Sequence, residues 1–193
     1  TAGVLFRFSQ DIAGLGGDVE HVRTTALVGA EQLVFNEEVT VRAIFEAGAV
    51  TPIGGQSSRL NDRFFLGGRQ MRGFQPLGIG PRDRAVPNED ALGGNYYAVA
   101  RFEADFPLGL PEEYGITGGV FLDVGTLWGL DDTGGGPAGN DPVDDSAQLR
   151  ATAGFAVFWT TAIGPLRFNF TTPLAREVYD KPRSFDLTIS TDF

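Results

Sequence analysis

Asn95-Tyr96-Tyr97-Ala98-Val99-Ala100-Arg101-Phe102-Glu103-Ala104-Asp105-Phe106 is the stretch from which the fold can be read. Tyr96, Ala98, Ala100, Phe102, Ala104 and Phe106 fall on one side of a two-residue period, and Asn95, Tyr97, Val99, Arg101, Glu103 and Asp105 on the other. That period is a β-strand's, with one apolar face and one largely wet face. A helix would scatter both sets around its circumference.

The same alternation recurs outward in both directions. Ile116, Gly118, Val120, Leu122, Val124 and Trp128 stand opposite Thr117, Asp123 and Gly125. Leu149, Ala151, Ala153, Phe155, Val157 and Trp159 stand opposite Gln148, Arg150 and Thr152. Leu166, Phe168 and Phe170 alternate with Arg167, Asn169 and Thr171, and Phe185, Leu187, Ile189 and Phe193 with Asp186, Thr188, Ser190 and Asp192. Val4–Ser9, Val22–Val34 and Val39–Gly48 read the same way with less contrast. This makes about eight strands, each close to the 9–11 residues a tilted strand needs to cross a bilayer.

Composition agrees. The 27 Gly and 16 Phe beside a single Met fit strands and tight turns, because Gly inside a helix costs about 1 kcal/mol relative to Ala. A mean hydropathy of -0.05 with 42% hydrophobic residues excludes a disordered chain, and no run reaches the roughly 18 apolar residues of a spanning helix. The net charge of -10 argues against nucleic acid, which needs a basic face. Absence of Cys removes disulfides, thiolate nucleophiles and Cys-based metal sites. Thr1 is not an initiator Met and no signal-peptide pattern follows it, so the start reads as a processed or trimmed end.

The links alternate in length. Phe35–Glu38, Pro107–Tyr114 and Thr160–Gly164 are short; Asp11–His21, Ala49–Gly94, Leu130–Ala147 and Leu174–Ser184 are long. Short turns on one side and long loops on the other are the layout of an antiparallel transmembrane β-barrel, an asymmetry that a soluble sandwich or lipocalin-type barrel has no reason to keep. Trp128, Trp159, Phe106 and Phe193 sit at strand ends, where interfacial aromatic girdles belong. A self-closed eight-stranded barrel would have too little lumen for Ala49–Gly94, since eight strands leave an interior just filled by side chains. The whole chain, 1–193, is therefore expected to be part of a larger barrel; alone it would leave two long unpaired edges.

Several separate motifs keep order and spacing along the chain: Phe64-Phe65-Leu66-Gly67-Gly68-Arg69-Gln70-Met71-Arg72-Gly73-Phe74, Ile79-Gly80-Pro81-Arg82-Asp83, Gly93-Gly94-Asn95, Phe121-Leu122-Asp123-Val124-Gly125-Thr126-Leu127-Trp128, Ile163-Gly164-Pro165-Leu166-Arg167-Phe168, Pro173-Leu174 and the terminal Phe193. In this order they resemble the C-terminal barrel region of the BamA family, which folds and inserts proteins of the bacterial outer membrane. The resemblance implies the last eight strands of a sixteen-stranded barrel, located in that membrane. Its implied partners are outer-membrane lipid and lipopolysaccharide, unfolded outer-membrane protein clients and the lipoproteins of an assembly complex. It implies no enzyme, cofactor or metal. Translocation barrels, TamA-like or of two-partner secretion, share the Arg-Gly-Phe/Tyr loop and are the alternative.

The resemblance further implies that residues 49–94 form a long extracellular loop folded into the lumen, with Arg72, Gly73 and Phe74 at its tip. A guanidinium in a narrow lumen needs acidic partners to offset desolvation. Glu103 and Asp123, on the wet faces of consecutive strands, are the expected pair; the competing arrangement pairs them with Arg101 or Arg150 and leaves Arg72 in solvent. Residues 184–193, with Phe185, Leu187, Ile189 and Phe193, resemble a closing strand and β-signal, whose unpaired edge can template another strand. Ser190 stands near the position where the family usually has the Gly that lets this strand kink.

Other candidates weigh less. His21 is the only histidine, and no recognisable motif arranges a Ser or Asp around it, which disfavours an outer-membrane deacylase or phospholipase. Asp131, Asp132, Asp141, Asp144 and Asp145 around Gly134-Gly135-Gly136 lack the ordered spacing of a calcium loop and read as an exposed acidic loop.

Overall fold

The computed structural model describes the chain apart from residues 1, 15–19, 56, 85–86, 132, 134–142, 163 and 190–193. Phe193, Ser190, Ile163, Asp132, Asp141 and Gly134–Gly136 thus lie outside the described residues.

Eight strands form one antiparallel sheet: β1 (Ala2–Ala13), β2 (His21–Val34), β3 (Val39–Pro52), β6 (Tyr96–Pro107), β7 (Ile116–Trp128), β8 (Arg150–Thr161), β9 (Gly164–Ala175) and β10 (Phe185–Ile189). They pair in chain order, as a meander. Between β3 and β6, β4 (Arg82–Asp83) and β5 (Asp90–Ala91) make a separate two-stranded sheet. Among the described residues β1 and β10 do not pair, so the sheet stays open. The first seven long strands have 12–14 residues, longer than the 9–11 expected. β3 runs on to Pro52, so the long loop begins at Ile53 rather than at residue 49. No described helix is long and apolar enough to cross a membrane.

The register fixes the two faces. Phe6 pairs with Val28, Val28 with Phe45, Phe45 with Ala100, and Ala100 with Val124. Phe155 pairs with Phe170, and Phe170 with Phe185. This apolar face is widely exposed, and aromatic contacts cross it between neighbouring strands: Phe155 stacks on Phe170 at 4.7 Å, Phe170 meets Phe185 at 5.3 Å, and Phe45 meets Phe102 edge-on at 5.6 Å. Such cross-strand pairs stabilise a sheet even where no core covers it. Tyr96 stacks on Trp128 at one rim, while Trp159 lies near the opposite, short-turn rim.

The hydrophobic core lies on the other face. The chain between β3 and β6 folds back over the sheet and buries Phe64, Leu66, Met71, Phe74 and Ile79 against Val50, Tyr97, Val99 and Leu127. Each fully buried large apolar side chain stabilises by about 1.5–3 kcal/mol. An apolar sheet face toward lipid, with a folded loop on the face toward the lumen, inverts the layout of a soluble barrel.

Candidate functional site

Arg72 stands at the loop tip, over the strands that carry the expected acids. Its Nε and Nη2 donate to the two oxygens of Asp123, at 2.8 and 2.6 Å, and its backbone N–H donates to Asp123 Oδ2 at 2.9 Å. Nη1 pairs with Glu103. The guanidinium lies 3.8 Å from the centroid of the Phe121 ring, and the Thr152 hydroxyl donates to the Arg72 carbonyl at 2.7 Å. Asp123 is fully buried, so its charge stands only because this fork neutralises it.

Local sequence makes this approach possible. Gly73 has a φ of +87°, and a Cβ there would lie 2.8 Å from the Thr152 methyl. No other residue turns the chain here at so little steric cost. Phe74 then bridges to Pro182, and Arg183 N–H donates to the Gly73 carbonyl at 2.8 Å.

The structure thus joins Arg72 to Glu103 and Asp123. Of the competing partners, Arg101 reaches Glu46 at 3.5 Å and Arg150 reaches Asp180, not the two lumen acids. Phe185, Leu187 and Ile189 lie on the lipid-facing side of β10, and only Asp186 and Thr188 face the lumen.

Other features were not anticipated from sequence. Glu103 is shared: Arg42 and Arg167 each donate to its Oε1 at 3.1 Å, beside Arg72 on its other oxygen. A second buried fork joins Arg150 to Asp180, with Nε–Oδ2 2.9 Å and Nη2–Oδ1 3.3 Å, and fastens the β9–β10 loop to the start of β8. Arg150 was legible as lumen-facing, but no spacing pointed to Asp180, because a loop residue has no period. The loop ladder between Gln75 and Lys181, with N–H to carbonyl 2.9 Å, ties this loop to the lumenal one.

At the rim that carries the long loops Asp131 accepts from Ser58 N–H at 2.6 Å and from the Asn95 amide at 3.0 Å. Burial alone would raise its carboxyl, but these donors hold it below the ordinary carboxylate range. Burial pushes the Tyr179 phenol up to about 12, against the pull of Arg150. Asp145 accepts from Leu130 N–H at 3.0 Å and Asp144 from the Ser146 backbone at 3.1 Å, so these acids serve as loop ties. His21 Nδ1 lies 3.9 Å from Asp62, a neighbour no motif flagged.

An open antiparallel sheet, apolar outside and braced inside by an arginine-locked loop, defines part of a large transmembrane β-barrel with a folded-in loop. The chain matches the Omp85 superfamily domain over residues 1–193 and belongs to that superfamily. It is 36% identical over 187 residues to outer membrane protein assembly factor BamA of Neorickettsia risticii, covering 97% of this chain and 24% of that protein. It is 30% identical over 187 residues to the human sorting and assembly machinery component 50 homolog, covering 93% of this chain and 38% of that one. The chain therefore spans about a quarter and somewhat over a third of these relatives. The crystal structure of BamA from Haemophilus ducreyi lacking POTRA domains 1-3 superposes with a TM-score of 0.82 at 23% identity, over 96% of this chain and 38% of that one, and shares its fold.

Proposed function

We propose that this chain is the C-terminal half of a sixteen-stranded barrel that folds and inserts β-barrel proteins into the bacterial outer membrane. The observation that carries this reading is the Arg72 lock on Asp123 and Glu103, on the lumen side of an eight-stranded meander that ends in β10. The loop braces the lumen side of the wall, so an edge can open without collapse of that wall. A free edge offers backbone donors and acceptors on which an incoming strand can form. The work is strand templating, with no bond made or broken in the client. Named relatives that are assembly factors support the reading.

The partners follow from the surfaces. Outer-membrane lipid packs on the apolar face, lipopolysaccharide borders the acidic extracellular loops, unfolded clients meet the free edge, and assembly lipoproteins gather on the periplasmic side. In the full chain reconstituted in liposomes, Arg72→Ala is expected to lower client assembly at least tenfold and to change heat-modifiable migration. Unchanged assembly and unchanged migration would overturn the proposal.

A further inference from the structure

The lumen loop is held from two sides, and the second hold is built around Asp180. Of residues 176–184, which join β9 to β10, only Tyr179 and Asp180 are buried. The Asp180 side chain is fully enclosed, and that of Arg150 is 1% exposed. Besides the fork to Arg150, Asp180 Oδ2 accepts from the Glu177 N–H at 2.7 Å, and the Asp180 N–H donates to the Glu177 carbonyl at 3.2 Å. One carboxylate therefore closes a turn of its own loop and pins that turn to β8. Tyr179 adds a tie to the connection between β7 and β8, its hydroxyl donating to Asp144 at 3.1 Å.

The residues that follow this turn are shared between two neighbours. Toward the loop tip, the Lys181 N–H donates to the Gly78 carbonyl and the Lys181 carbonyl accepts from the Gln75 N–H, both at 2.9 Å. The Arg183 N–H donates to the Gly73 carbonyl at 2.8 Å. Toward β9, the Thr171 N–H donates to the Ser184 carbonyl at 2.9 Å and the Thr171 hydroxyl to the Arg183 carbonyl at 2.7 Å. Residues 181–184 thus lie as a strap between β9 and the loop tip, and they run directly into β10 at Phe185. Gly78 admits the strap: its φ is not positive, but a Cβ there would lie 2.9 Å from the Lys181 carbonyl and 2.6 Å from the Gln75 carbonyl. Close approach of another backbone is what such a glycine serves.

The bonds between strap and tip are made by backbone groups, which are individually weak and form only while both segments are held in place. β8 does the holding. Thr152 takes the Arg72 carbonyl, and Arg150, two residues earlier on the same lumen-facing side, takes Asp180. Asp180 itself bonds Arg150 and Glu177, and none of these contacts reaches Arg72, Asp123 or Glu103. Any influence it has on the Arg72 lock must pass through the strap.

We propose that Asp180 is a positioning residue for the Arg72 loop: through Arg150 it sets residues 181–183 against Gly73–Gly78, and so couples seating of the loop tip to the placement of β10. The coupling deepens the assembly reading and rests on it for its part in the barrel's work. It is reciprocal, because two segments that stabilise each other are each loosened by loss of the other. A purely local role for Asp180 would loosen its own turn alone.

Amide hydrogen exchange of the full chain in detergent reads the two segments separately. Asp180→Asn keeps an acceptor for the Glu177 N–H but removes the charge facing Arg150. It is expected to speed exchange at least tenfold at Gln75 as well as within 177–181, while the β6–β7 ladder stays as protected as in wild type. Arg72→Ala should speed exchange at Lys181 and Arg183 by the same factor. Gly78→Ala parts loop and strap with both ion pairs kept; it should raise exchange at Gln75 and Lys181 together, and it decides the matter if Asp180→Asn does not fold. In liposomes Asp180→Asn should lower client assembly at least threefold, with Asp180→Glu between it and wild type. Exchange confined to 177–181 in Asp180→Asn, unchanged exchange at Lys181 and Arg183 in Arg72→Ala, or full assembly by an Asp180→Asn protein whose Gln75 exchange has risen would each overturn the proposal. Wild-type protein that assembles clients, beside variants whose exchange is uncoupled, refutes the coupling alone. Coupled exchange in the variants, beside wild-type protein that assembles nothing, refutes the assembly reading and leaves the coupling standing.

Discussion

The lumen faces of β6–β8 and of β1–β3 are built on opposite terms. Across β6–β8 the wall is covered: Asp123, Thr152, Leu127 and Arg150 are buried, and the small residues Gly119, Gly125 and Gly154 make room for Asp105, Met71 and Phe121. Across β1–β3, among the described residues, Gly29 is uncrowded: a Cβ there would meet Ile44 and Leu5 at 3.8 Å. Both stretches use glycine in strand interiors, so composition cannot separate them. Their packing partners do, and substitutions should therefore carry opposite signs in the two places.

The largest effect is expected on the covered side. Arg72→Ala leaves the Asp123 carboxylate buried without a counter-charge, a loss of about 3–5 kcal/mol. Undocking of residues 53–95 should follow, read as protease cleavage within that loop and a lower denaturation midpoint of the heat-modifiable form. Arg72→Lys keeps the charge but not the two-pronged contact, and should fall between wild type and Ala. Protection of the loop in Arg72→Ala equal to wild type would mean that the apolar contacts of Phe64, Leu66, Met71, Phe74 and Ile79 hold the loop unaided.

Gly154→Ala is the intermediate case. Its Cβ would lie 2.3 Å from the Phe170 carbonyl and 2.6 Å from the Phe121 ring on which Arg72 rests. Displacing that ring costs about 1–3 kcal/mol, as overpacking commonly does. The denaturation midpoint should drop by less than in Arg72→Ala, with the loop still protected at low temperature. An unchanged midpoint would show that Phe121 can move aside freely, and the covered wall would then be looser than its contacts imply.

What was legible in the sequence follows the same division. Strand positions and faces could be read because a period of two survives in side-chain chemistry, as in Tyr96 to Phe106 against Tyr97 to Asp105. The pairing of Arg72 with Glu103 and Asp123 was reachable from the motif resemblance plus the rule that a confined guanidinium needs acids. The rest was not periodic. Asp180 sits in a loop, Arg42 meets Glu103 directly across the β3–β6 ladder while Arg167 reaches it from β9 because the sheet curves, and Phe121 looks misplaced on a wet face until the loop covers it. The end of β3 at Pro52 was also hidden, since Val50 on its lumen side is apolar and breaks the alternation.

Gly29→Ala is the smallest expected effect and the one with the reversed sign. The strand backbone at Gly29 is ordinary, and the new methyl would meet Ile44 Cγ1 and Leu5 Cβ at 3.8 Å, a normal van der Waals distance. Glycine within a strand or helix interior is destabilising by roughly 0.5–1 kcal/mol relative to alanine, chiefly through the freedom of the unfolded chain. The heat-modifiable form should therefore denature at a slightly higher midpoint than wild type, while Gly154→Ala in the same buffer denatures lower. A drop for Gly29→Ala would place an unseen neighbour from the parent chain against that wall in the resting protein. A rise would show that the added methyl packs against Leu5 and Ile44 without displacing either.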